Sequence, residues 1–128
     1  MLVVEDNAYY KIELDFEKNR EFVTLKKDQP TVGYYNTVAA QGNIVHTMMA
    51  EGYDGVMIYD YTVDTMAEAM KDDIERRLTV SPDERFKSNG NFAIVKSAES
   101  TLTLPGETES NTFETLAEAE AYLDSLRG

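Results

Sequence analysis

Cysteine and tryptophan are absent from this sequence, and histidine occurs once. Without cysteine there is no disulfide, no thiolate nucleophile and no cysteine-ligated zinc or iron–sulfur centre. Acid–base chemistry near neutral pH is left to His46 or to a carboxylate of shifted pKa. Glycine-rich phosphate loops of the Gly-x-Gly-x-x-Gly or Gly-x-x-x-x-Gly-Lys kind are missing, as is the Gly-x-Ser-x-Gly elbow of serine hydrolases. No cofactor is expected. Bases are scarce, twelve against twenty-four acids, which gives a formal charge of −12 at pH 7. Such a charge repels nucleic acid and anionic membrane, and attracts basic partners over about a Debye length. The partner expected is a basic protein surface, with no direct nucleic-acid or membrane binding. No apolar run approaches the roughly 20 residues of a membrane-spanning helix. The opening Met1-Leu-Val-Val-Glu-Asp6 lacks the basic and apolar regions of a signal peptide. These features predict a soluble, unprocessed chain, cytoplasmic or virion-associated.

What is present fits one globular domain. The 128 residues are 42% hydrophobic and 28% charged, close to ordinary globular proportions. The reading is a single acidic α+β domain over residues 1–128, divisible at most into sub-units 1–80 and 88–128, with antiparallel hairpins and about three helices.

Tyr10, Ile12, Leu14 and Phe16 alternate with charged residues, the period of a strand with one wet face. A polar turn at Lys18-Asn19-Arg20 leads to a second strand at Phe22–Leu25, and Asn19 suits the left-handed conformation of a tight hairpin. A helix is expected from Asn36 or Thr37 towards Glu51, and a buried strand over Gly55–Val63. Thr65-Met-Ala-Glu68 is a capping box, and Met66, Met70, Ile74 and Leu78 form the apolar stripe of the helix it opens. Phe92–Val95 and Thr101–Leu104 read as a second hairpin, and Asn111–Phe113 as a short strand. The chain closes with a helix from a second capping box, Thr115-Leu-Ala-Glu118, whose core face is Leu116, Ala119, Tyr122, Leu123 and Leu126. Residues 62–69 and 112–119 resemble one another; capping chemistry selecting the same residue types is the simpler explanation, a duplicated unit the other.

Few residues suggest chemistry. His46 lies in a helical stretch with no partner pattern around it. Asp54, Asp60 and Asp64 do not have the spacing of an EF-hand loop and read as turn and edge carboxylates. Arg76, Arg77, Arg85 and Lys87 are interleaved with acids, the pattern of a solvated, salt-bridged face. Eight tyrosines offer apolar area with a polar tip, and Tyr9 and Tyr35 are the candidates for exposure.

The sharpest feature is the placement of acid. From Ser97 to Leu126 there are seven acids and no base. Solubility or adaptation to salt would account for this, and so would complementarity to a basic surface. On the second account the contact residues are Glu107, Glu109, Glu114, Glu118, Glu120 and Asp124, with Tyr9 and Tyr35. The function expected is non-enzymatic: an accessory or structural subunit that binds a basic partner. The alternatives are an acidic nucleic-acid mimic that inhibits a DNA- or RNA-binding enzyme, and a small enzyme or ligand-binding domain using His46.

Overall fold

The hairpin anticipated from the Tyr10 alternation forms the second and third strands of a six-stranded sheet. The computed structural model describes residues 1–26, 40, 44–59, 88–98 and 107–127. β1 (Leu2–Asp6), β2 (Tyr10–Asp15) and β3 (Arg20–Leu25) form an antiparallel meander. β4 (Tyr53–Tyr59), β5 (Ser88–Val95) and β6 (Thr112–Phe113) then add in parallel, so the six strands lie side by side in chain order. Parallel neighbours need crossover connections rather than tight turns. A single helical turn, α1 (His46–Met48), precedes β4, and α2 (Leu116–Leu126) follows β6.

The sheet separates two cores. Tyr10, Ile12, Leu14, Val23, Leu25, Tyr53, Tyr59 and Ile94 face one way and are covered by Val45 and Met49 from either side of α1. Phe22, Val56, Ala93 and Val95 face the other way, against Ala119 and Leu123 of α2. Val56-Met-Ile-Tyr59 reads as an uninterrupted apolar run because β4 has parallel neighbours and both faces covered. Of the Tyr9–Tyr10 pair one ring is buried and the other exposed, as alternation requires.

Asn19 is left-handed, with φ 53°, as the hairpin turn requires. Its side chain also bonds across to the turn before β4, donating to the carbonyls of Ala50 and Glu51 and accepting from the Ala50 amide, each at 3.2 Å. The Thr115 cap forms as expected: its Oγ1 accepts from the Glu118 amide at 3.2 Å and donates to Glu118 Oε1 at 2.8 Å.

Several expectations are corrected. Phe16 lies beyond the last pair of the ladder, Asp15 with Arg20, and is 53% exposed. β1 went unanticipated, because Leu2-Val-Val-Glu-Asp does not alternate; the register slips between Val3 and Glu5 where one residue bulges. The second hairpin does not form as read: β5 has parallel neighbours on both sides at Ile94 and Val95, which leaves no antiparallel place there. Among the described residues α2 is the one helix longer than a turn, where about three helices were expected. Within α2, Leu116 and Leu126 are exposed, because the central turns alone lie over β5 and its neighbours. The strand at Asn111–Phe113 is present as β6. The Thr65–Leu78 helix, Thr101–Leu104 and the segment 62–69 lie outside the described residues.

Candidate functional site

The densest gathering of ionisable groups in the described residues lies where β3 and β4 begin. Arg20 and Asp54 are register partners at the first turns of these strands, so both side chains rise from the same face of the sheet. Each is fully buried, with side-chain exposure of 0%. Arg20 Nε donates to Asp54 Oδ1 at 2.7 Å and Nη2 to Asp54 Oδ2 at 3.2 Å, a two-point grip that a planar guanidinium provides and a lysine does not.

Helix α2 closes over this pair. Residues 120 and 124 are one helical turn apart, beside the Ala119–Leu123 stripe that packs on the sheet, so both carboxylates overhang Arg20. Arg20 Nη1 donates to Glu120 Oε1 at 3.2 Å and Nη2 to Asp124 Oδ1 at 2.9 Å. Lys18 Nζ, from the hairpin turn, reaches the same Glu120 oxygen at 2.8 Å. Arg127, just past the helix, donates from Nε to Asp54 Oδ2 at 2.9 Å, and its Nη groups reach the carbonyls of Lys18 and Asn19. The carboxylate of Asp54 is therefore held between two guanidinium groups.

The three cations Lys18, Arg20 and Arg127 balance the three anions Asp54, Glu120 and Asp124. Burial by itself lowers the pKa of Arg20, but the hydrogen bonds it donates to Asp54 and Asp124 outweigh this and the net direction is upward. Asp124 is held below the usual carboxylate value, chiefly by the Arg20 hydrogen bond. Lys18 is raised by its bond to Glu120. A neutral cluster whose central carboxylate is occupied on both oxygens offers no free base and no open ligand position. What it can do is hold α2 and the β2–β3 turn against the start of β4.

This arrangement rearranges the acidic C-terminal third as it was read from sequence. Glu120 and Asp124 belong to the cluster, Glu107 is 2.7 Å from Lys96, and Glu118 bonds to Thr115 within its own cap. The stretch without bases is thus opposed in space by bases from elsewhere. Glu109 and Glu114 are exposed and make no ion pair with a described residue. Tyr9 is 40% exposed in the turn between β1 and β2, and Tyr35 lies outside the described residues. His46 opens α1. Asp54 stands inside β4 rather than in the turn before it, while Asp60 and Asp64 lie outside the described residues, as do Arg76, Arg77, Arg85 and Lys87.

Sequence reasoning placed Arg20 in a turn and gave Arg127 no part. A signal was available: Arg20 stands two residues before buried Phe22, and Asp54 two before buried Val56, which puts both on a buried face by alternation. Among the described residues no group of carboxylates and histidine could hold a metal ion, and no helix is long and apolar enough to cross a membrane. No protein-family model, curated protein or solved structure matches the chain.

Proposed function

We propose that this chain is a non-enzymatic interaction protein, an accessory or structural subunit of a larger assembly that binds a basic protein surface. One observation carries the reading. Ion pairs consume acids and bases one for one, so the neutral cluster around Arg20 leaves the net charge of −12 undiminished. Glu5, Glu17, Glu51, Glu109 and Glu114 are exposed acids that make no ion pair with a described residue. A surface of this kind repels itself and its own copies, and gains most by meeting positive charge, chiefly in association rate and partner discrimination.

The nucleic-acid mimic draws on the same charge but less on its placement. Imitating phosphates needs a row of uncommitted carboxylates, and Glu107, Glu118, Glu120 and Asp124 are each already bonded within the fold. The test of the favoured reading is charge reversal at Glu109 and Glu114, which should weaken the partner's association without unfolding the chain. An undiminished complex would count against it.

A further inference from the structure

We propose that the outer edge of β1 is a seat for the partner, which adds an extended segment carrying lysine or arginine as one more strand of the sheet. This inference rests on the basic-partner reading above and names the surface and backbone form it requires.

β1 is the first strand in the sheet order, and among the described residues it pairs with β2 alone. The opposite edge, β6, is two residues long and too short to template a strand, whereas β1 has five. An edge strand presents a row of unpaired amides and carbonyls, and adding a strand supplies affinity through the main chain while flanking side chains give selectivity. The flanking side chains here are unusual for a bare edge. Leu2 and Val3 are 41% and 48% exposed, and Tyr9, in the turn that follows the strand, is 40% exposed. Leu2 pairs with Leu14 and Val3 with Glu13, so the two apolar side chains stand on opposite faces of the sheet. Val4 packs into the core below and anchors the strand.

Charge then decides the occupant. Glu5 is exposed and has no ion pair with a described residue, and Asp6 beside it shares one lysine, Lys26. A second copy of this chain would bring another −12 to the edge. A strand with apolar residues beside Leu2 and Val3 and basic ones beside Glu5 and Asp6 satisfies both halves of β1, so such a strand is apolar along one half and basic along the other.

The probe is an eight-residue peptide with valines along one half and lysines along the other, titrated in both sequence orders into the wild-type protein while amide hydrogen exchange is followed residue by residue. The expected result is salt-sensitive binding that slows exchange in β1 by about tenfold or more, the mark of new main-chain hydrogen bonds. The same peptide, N-methylated at every backbone nitrogen so that neither edge can donate, should not slow β1. Binding that protects another part of the surface and leaves β1 unchanged would overturn the edge as the seat while leaving the basic-partner reading standing. No binding of the cationic peptide at low salt would overturn both.

Discussion

Removing the Asp54 carboxylate leaves Arg20 buried with two of its donors facing nothing, and takes from Arg127 its anionic partner. Breaking a buried pair costs about 3–5 kcal/mol, here because two buried donors lose their acceptor while Glu120 and Asp124 still hold the rest of the guanidinium. Asp54→Ala should therefore lower the stability measured by urea denaturation by that amount. Arg20→Lys should not rescue the pairing, since an ammonium cannot bond both oxygens and the helix carboxylates at once. Asp124, held down by Arg20, and Asp6, held down by Lys26, both contribute to the pH dependence, and Asp124 is the one within the cluster. Its folded pKa lies below the ordinary 3.8, so its contribution is present above about that pH and is lost as pH falls through the lowered value. The urea midpoint should fall on acidification in this window, and Asp124→Asn should make that decline shallower. An unchanged acid limb in the variant would show that other carboxylates govern it. Alternation with Phe22 and Val56 could have placed Arg20 and Asp54 on a buried face, but what covers them could not be read locally, because it is a helix arriving from about a hundred residues away.

At the level of elements, α2 is held by chemistry of two kinds. Leu123 and Ala119 bury the middle of the helix against Phe22, Val56, Ala93 and Val95, while the cluster at Arg20 ties down its C-terminal end. Leu123→Ala should cost about 2–5 kcal/mol in chemical denaturation, the range for truncating a fully buried leucine. The cap at Thr115 and the hairpin around Asn19 were readable from sequence, because both depend on contacts within a few residues. Strand direction was not. Phe92-Ala-Ile-Val95 has the composition of any buried strand, and only the neighbours on each side make it parallel. The bulge in β1 hid that strand for the related reason that it breaks the period-two pattern by which strands are recognised. The apolar stripe of α2 was read too broadly, since helical periodicity gives the direction of a face but not how far along the helix the sheet extends beneath it.

For the whole molecule, the acid excess acts through long-range fields rather than through the local bonds that the carboxylates of α2 make. The sign and size of that charge are fixed by composition, and its distribution along the chain is uneven, but position along the chain is a poor guide to which carboxylates are left without a base beside them. More than half of the net charge lies in a stretch whose acids are partly neutralised by Lys18, Arg20 and Lys96 from the other parts of the fold. The exposed acids without an ion pair to a described residue come from several elements, including the edge at β1, the turn before β4 and the segment from Glu109 to Glu114. The most direct measurement is the mass of this chain's complex in extract from its native source, by size-exclusion chromatography with light scattering at low and at high salt. A larger species containing a basic partner, released by salt and diminished by reversing Glu109 and Glu114, is the expected result; a monomer at both ionic strengths would contradict the account.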